Sequence, residues 1–412
     1  MGAMRKLAVK FGGVATAAML ATTAMAAGTT TGVTDDEIVI GIFSPLSGAN
    51  AGMGIDTINA AKAYFNDVNE NGGINGRKIR YVVEDDKCKP DEAGAIARKF
   101  INVDKVFLIL GGSCSGAAIS IQALVNQEKV PHFMLNASGD GGVYPPTEYQ
   151  FGSAPGTQRA TLGAVMTYAI DGLNAKTVAV LGPDDAMGSS ALAMIKAVAE
   201  KRGIQVVANE IIPNNATDVT VPVLNVRTSN PDAIILTTYP QPTYLVMKKF
   251  VEYGMVDKPI VSAIQGVSSP KVFLEGIDGD KSGLQHFYYA HPLVAESMDD
   301  PKLKKWKDML VKTDPSRPDP GIIAAYGFPH PIMIVEALKQ CGKELTRECF
   351  MEKIDHVKID TGIMAAPSEF AAGRRDSNRG QIIVKFDGDT ITRVGGPYIW
   401  DEIVDPAVFD KK

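Results

Sequence analysis

The sequence predicts an α/β protein made of two doubly wound parallel-sheet domains. Three observations carry this. From Glu37 onward, apolar runs that read as strands alternate with segments of helical periodicity, the pattern of a mostly parallel sheet with helices on both faces. The alternation starts again near Lys176 with the same element order. A chain of 412 residues is also too long for one hydrophobic core.

The elements follow in order. IVIGIFSPLSG is a buried strand that runs into a loop. TINAAKAYFNDVNENGG has apolar positions at helical spacing and then a glycine stop. RKIRYVVEDD is the next strand, DEAGAIARKFINVD a helix and KVFLILGG a strand. SGAAISIQALVNQEK reads as one helix, and VPHFMLNASG as a strand with its exit loop. The second round opens with KTVAVLGPDD, SSALAMIKAVAEKRG and IQVVANEIIP as strand, helix and strand. LNVRTSNPDAIILTTYP and PTYLVMKKFVEYG continue it, and PIVSAIQG closes it. Beyond Gly283 come QHFYYAHP, a helix around DDPKLKKWKDMLVK and the apolar helix IMIVEALKQCG. The tail GQIIVKFDGDTITRVGG reads as a hairpin turning at Asp-Gly.

The first 26 residues stand apart. Arg5, Lys6 and Lys10 precede an uncharged apolar run from Phe11 to Ala24, and Ala24-Met25-Ala26 fits a cleavage site. This is the pattern of a secretory signal cleaved near Ala26, with an apolar run short for a bilayer span. Its loss takes three of the 42 Lys and Arg and none of the 47 Asp and Glu, moving the formal net charge from −5 to −8. There is no basic cluster with interleaved aromatics, which argues against nucleic acid as a partner. No His/Cys/Asp set has metal-ligand spacing, and no cofactor is expected. Four cysteines in an exported chain point to disulfides, with three possible pairings. Cys341 and Cys349 flank the short CGKELTREC loop and suit each other, which leaves Cys88 for Cys114.

Cys114 sits in Gly112-Ser113-Cys114-Ser115-Gly116, which imitates a nucleophile elbow. A hydrolase would need its thiolate, which a disulfide removes, and none of the five histidines lies in a recognisable motif. The other reading is a binding loop. Ser113 to Ser115 lie where a strand ends and a helix begins, so free N–H groups, the helix dipole and two hydroxyls favour an anion. Open α/β sheets bind ligands beyond the carboxyl ends of their strands. The six loops there are SPLSGANAGMG, GGSCSG, NASGDGG, GPDDAMG, TTYPQP and AIQGVSS. They are rich in Ser, Thr, Gly, Asn and Gln. Their only charges are Asp56, just past the first loop, Asp140, Asp184 and Asp185.

With IVIGIFSPLSG, NENGGINGRKI, EDDKCKPDEA and the SCS loop in that order, the chain resembles the type I periplasmic solute-binding proteins of the branched-chain amino-acid uptake family, the receptor subunits of ABC importers. The resemblance covers essentially the whole mature chain. It implies two lobes joined by three crossovers near 155–158, 286–290 and 374–380, with residues 36–156 plus 289–376 in the first lobe and 157–288 plus 377–412 in the second. It implies a periplasmic, monomeric, non-enzymatic receptor that closes on a small molecule and passes it to a membrane permease. It pairs Cys88 with Cys114, and it assigns carboxylate binding to Ser115, Ala137 and Ser138 with Ser113 nearby. Relatives that bind amino acids meet the ammonium with a carboxylate, and the matching position here is Gln265. The nearby Tyr239 and Gln241 are also neutral. A buried ammonium without a carboxylate is costly, so the expected ligand is an aromatic or branched carboxylic acid. Asp184 or Asp185 would have to supply the charge in the rival reading, a branched-chain amino-acid receptor. Positions matching pocket tyrosines read Met53 and Met187, adaptable partners for an apolar ligand. Phe328, beside Tyr326, is the expected aromatic wall, and His330 a further candidate for the cleft. A sensor of the same fold acting on a signalling partner is the remaining alternative.

Overall fold

The computed structural model describes Gly2 and residues 30–399, apart from positions 49, 185, 214, 264–269 and 296. The leader, Gln265, Asp185 and the chain beyond 399 therefore lie outside the described residues.

The first sheet has the order β2-β1-β3-β4-β5, with every pairing parallel. Its strands are β1 (Glu37–Ser44), β2 (Lys78–Asp85), β3 (Leu108–Gly111), β4 (His132–Phe133) and β5 (Gln150–Phe151). Side chains alternate along β1. Ile38, Ile40 and Ile42 pack with Phe65 of α1 (Ala51–Glu70). Val39 and Phe43 pack on the other face with Phe100 of α2 (Pro90–Asn102), as a strand buried on both faces must. Gly41 admits the Phe100 ring: a Cβ there would lie 2.6 Å from it. The segment expected as one helix after β3 is two, α3 (Ser115–Ser120) and α4 (Gln122–Gln127), divided at Ile121.

The second sheet has the order β14-β13-β10-β9-β8-β6-β7. Helix α5 (Gln158–Thr167) leads into β6 (Thr177–Gly182), α6 (Ala186–Arg202), β7 (Gln205–Ile211), α7 (Thr220–Ser229), β8 (Ala233–Leu236), α8 (Pro240–Glu252), β9 (Ile260–Ser262), α9 (Pro270–Gly276) and β10 (Phe287–His291). Helices α5 and α6 cover one face and α7 to α9 the other. The strand order 7-6-8-9-10 repeats 2-1-3-4-5, so β6 stands where β1 does.

The chain then returns to the first sheet. After α10 (Lys304–Thr313), helices α11 (Pro329–Gln340) and α12 (Arg347–Ile354) pack on the face that α1 covers. Phe133 and Phe151 stack there at 4.4 Å, with Phe350 and Phe370 edge-on to Phe133. A two-stranded ribbon, β11 (Lys358–Ile359) with β12 (Ser368–Glu369), follows. The tail hairpin, β13 (Gly380–Phe386) and β14 (Ile391–Ile399), joins the second sheet antiparallel to β10. Strand β10 runs through the expected boundary at 289 and pairs with β9 and β13, so the second sheet continues to His291.

Candidate ligand-binding site

The C-terminal ends of β1, β2 and β3 put three loops side by side. Gly112 adopts φ +83, and a Cβ there would come within 2.5 Å of the Ala118 Cβ, so this turn needs glycine. Cys114 precedes α3 in extended conformation and is bonded to Cys88; Cys341 is bonded to Cys349. Cys114 therefore has no thiolate for a hydrolase.

The loop of Ser113 and Ser115 lies beside the loop of Ala137 and Ser138, where the Asn136 N–H donates to the Gly112 carbonyl at 3.4 Å. The Ser113 hydroxyl is buried and shares hydrogen bonds with Ser44 Oγ at 2.6 Å and Thr57 Oγ1 at 3.3 Å. It ties β1, α1 and β3 together. Ser115 Oγ accepts the Gly139 N–H at 3.1 Å, joining the start of α3 to the loop after β4. Ala137 is buried and Ser138 half-buried, with the Ser138 carbonyl accepting the Gln158 N–H at 3.2 Å. Met53 is half-buried in the first turn of α1, and its carbonyl accepts from Thr57 Oγ1 at 3.0 Å.

Sequence reasoning missed Ser44, Thr57, Asp85 and Asp86. Asp85 Oδ1 accepts the N–H groups of Leu46 at 2.8 Å and Lys87 at 2.9 Å, and Oδ2 accepts the Ser47 hydroxyl at 2.6 Å. The buried Asp86 accepts the Cys88 N–H at 2.9 Å. Adjacent acids at the end of a strand, three residues before a bonded cysteine, were the available signal.

On the second sheet, Met187 is half-buried at the start of α6, and its carbonyl accepts from Gln158 Nε2 at 3.2 Å. Tyr239 caps α8 and is half-buried; Gln241 is exposed. Phe328 corrects an expectation. It is fully buried against Trp306, ring centroids 4.8 Å apart, in the core formed by α1, α10 and the turn at Ile322–Gly327. The reason is close contact with α1, where a Cβ on Gly327 would lie 2.2 Å from the Thr57 carbonyl. Tyr326 belongs to the same core. His330 is also buried, its Nδ1 3.1 Å from the Met134 carbonyl and its Nε2 3.0 Å from Ser377 Oγ. Burial lowers its pKa to about 3, so the ring is neutral.

Two of the loop acids are compensated. Asp56 pairs with Arg317 at 2.5 Å. Asp140 pairs with Arg159 at 3.5 Å, and its Oδ1 also accepts the Arg159 N–H. The Arg159 guanidinium lies 4.0 Å over the Tyr144 ring, and the Tyr144 hydroxyl donates to Asp376 at 2.8 Å. This chain joins the loop after β4, the start of α5 and the approach to β13. Asp184 is exposed. Among the described residues of these loops, hydroxyls and backbone groups remain the main polar functions.

Burial raises the Asp140 carboxyl to about 6 against the pull of Arg159. The folded pKa exceeds the unfolded one, so the folded chain takes up this proton first as pH falls. Asp140 therefore costs stability at neutral pH, and the cost disappears between about pH 6 and pH 4. A shift of this size is worth roughly 3 kcal/mol. The difference in unfolding free energy between wild type and Asp140→Asn should grow in favour of wild type by about that amount from pH 7 to pH 4. A flat difference in urea titrations would mean that the ion pair holds Asp140 ionised throughout.

Two sheets of matching strand order each carry glycine- and hydroxyl-rich loops at their carboxyl edges, where open α/β sheets bind ligands. Residues 37–388 match the periplasmic binding protein family model, and the chain belongs to that family. An amino acid binding protein of Pseudomonas aeruginosa is 28% identical over 205 residues, 48% of this chain and 53% of the relative. The chain thus spans about half the length of that relative. A branched-chain amino acid transporter substrate-binding protein of Streptococcus pneumoniae, solved with isoleucine, superposes with a TM-score of 0.70 at 21% identity, covering 87% of this chain and 99% of the other. A solute-binding protein of Rhodopseudomonas palustris, solved with 3,4-dihydroxybenzoic acid, gives 0.72 at 21%, covering 90% and 99%. At such identities the likeness establishes the fold. Among the described residues no helix is long and apolar enough to cross a membrane, and no group of three His, Cys, Asp or Glu is arranged to hold a metal.

Proposed function

We propose that the chain is the exported, periplasmic receptor of an ABC importer, capturing a small aromatic or branched carboxylic acid between two lobes and presenting it to a membrane permease. The lobes are built on the two sheets, with crossovers at 152–157, just after His291 and at 375–379. They act as a monomer, by hinge closure in which ligand contacts to both lobes supply the differential free energy. The carrying observation is the state of the loop acids: Asp56 and Asp140 are engaged by arginines and Asp184 is exposed. Among the described loop acids an ammonium therefore finds no ready partner, whereas a carboxylate finds Ser115, Ser138 and the backbone of the Gly112–Ser115 turn. Hydrogen bonds to a charged group are worth about 1.5–3 kcal/mol each, so two or three supply much of a micromolar affinity. Met53 and Met187 flank the apolar part of the ligand, and Tyr239, Gln241 and Gln265 serve a distal polar group.

The second reading is a branched-chain amino-acid receptor, and its amino-acid part is favoured by the Pseudomonas relative, an amino acid binding protein. A thermal-shift panel on ligand-stripped protein separates the two, with leucine, isoleucine, valine, benzoate, 3,4-dihydroxybenzoate, cinnamate and branched 2-oxo acids. A ligand at 100 times its Kd adds about 2.7 kcal/mol, a shift of a few degrees for a chain of this size. The expected result is a shift with aryl or oxo acids and none with leucine. A shift with leucine alone would overturn the first reading.

A further inference from the structure

We propose that Asp85 is a positioning residue for the carboxylate cradle, although it lies on a different strand from it. The inference rests on reading the Gly112–Ser115 turn as the cradle, and its first test needs no ligand.

Lys87 and Cys88 are consecutive non-glycine residues at φ +50 and +62. Left-handed conformations cost roughly 1–2 kcal/mol per ordinary residue, so the turn has to be held from outside. Two carboxylates hold it. Asp85 takes the Lys87 N–H and Asp86 takes the Cys88 N–H. Asp85 also reaches across to the loop after β1 for the Leu46 N–H and the Ser47 hydroxyl. From that same loop Asn50 Nδ2 lies 3.3 Å from Cys88 Sγ. One carboxylate thus accepts three donors and fastens two loops into a unit.

The third loop is attached covalently. Cys88 is bonded to Cys114, which lies between Ser113 and Ser115. The Cys114 carbonyl accepts the Ala118 N–H at 3.0 Å, and Ser115 Oγ accepts the Gly139 N–H. Asp85 therefore sets the shape of the 85–88 turn, the turn sets the position of the Cys88 sulfur, and the sulfur sets the start of α3. Loops fixed in this way lose little further freedom on binding, which favours affinity.

The test is hydrogen exchange of the oxidised, ligand-free chain, reading the Ala118 and Gly139 amides, neither of which touches Asp85. Asp85→Ala should speed both by about tenfold or more while the urea midpoint stays near wild type. Asp85→Asn keeps an acceptor oxygen for Leu46 and Lys87 and should stay close to wild type. With Cys88 and Cys114 both replaced by Ser, the two amides should already exchange fast, and Asp85→Ala should add nothing. Faster exchange confined to 44–50 and 85–90 would overturn the proposal, as would an Asp85→Ala effect that persists in full without the disulfide. Affinity for 3,4-dihydroxybenzoate and for leucine is then measured on the same variants. If neither binds wild type, the ligand reading fails while the exchange result stands.

Discussion

Alanine at Gly54 or at Gly188 is expected to destabilise the chain by about 3 kcal/mol or more and to abolish ligand-induced thermal shifts. A Cβ on Gly54 would lie 1.9 Å from the Pro45 carbonyl oxygen, and one on Gly188 would lie 2.0 Å from that of Pro183. Both obstacles are backbone atoms, so no rotamer relieves them. Helix propensity pulls the other way by only about 1 kcal/mol, so sterics decide the sign. The two sites are topological equivalents. Helix α1 follows β1, α6 follows β6, and these strands hold the same place in their sheets. In each case a proline opens the loop, the glycine lets the helix press against it, and a methionine, Met53 or Met187, immediately precedes the glycine. Moving either loop therefore moves a methionine proposed to touch the ligand. Gly52 is the control: nothing lies within 4 Å of its Cβ position, and Gly52→Ala should be neutral or stabilise by up to about 1 kcal/mol. Urea denaturation of the three variants, with thermal shift against the best ligand of the panel, reads both effects. Tolerance of alanine at one of the two sites would end the equivalence.

The architecture was legible in the sequence because strands buried on both faces are short apolar runs, and because glycine stops separate them from periodic helices. The repeat of that order predicted the repeat of the sheets. Local signals failed where packing decides. The break at Ile121 has no glycine or proline to announce it; it appears only as the junction between α3 and α4. The hydroxyl-rich loop after β3 was legible as a strand-end turn, but its contacts were not. Ser113 has the right chemistry for a ligand donor, but its hydroxyl meets Ser44 and Thr57, 69 and 56 residues away in sequence. Asp85 looked like a strand-end acid, while its partners Leu46 and Ser47 belong to the preceding strand's loop. Phe328 was a pocket wall by resemblance to the family, but an aromatic at the start of a helix has two faces to choose between. Trp306 fills the side that decides it. The misses at Ser113, Asp85 and Phe328 each involve a partner distant in sequence, which periodicity cannot report.

Arg347→Ala is expected to cost about 3–5 kcal/mol without changing the affinity of the chains that remain folded. Arg347 opens α12 and is buried. Its Nε donates to the Phe107 carbonyl at 2.8 Å, Nη2 to that of Val106 at 2.7 Å and Nη1 to that of Lys129 at 3.4 Å. Burial lowers its pKa, but a guanidinium remains charged in any case, so these carbonyls are what make its burial tolerable. The fork clamps α12 to the chain entering β3 and to the chain entering β4. Phe350, three residues on, meets Phe107 edge-on at 5.7 Å. Truncation leaves carbonyls without their donors and loosens that ring contact. Lysine at 347 should recover only a small part of the loss, because one ammonium does not reproduce a planar fork with divergent donors. The clamp acts at the start of β3, whereas the proposed cradle follows its end at Gly111, so the strand core lies between the two. Urea unfolding should therefore report a large loss while titration calorimetry on the folded fraction reports an unchanged Kd, the reverse of the pattern expected for Asp85→Ala. A parallel fall in affinity would mean that β3 transmits a shift at its entry to the cradle, and that the clamp and the cradle are one mechanical unit.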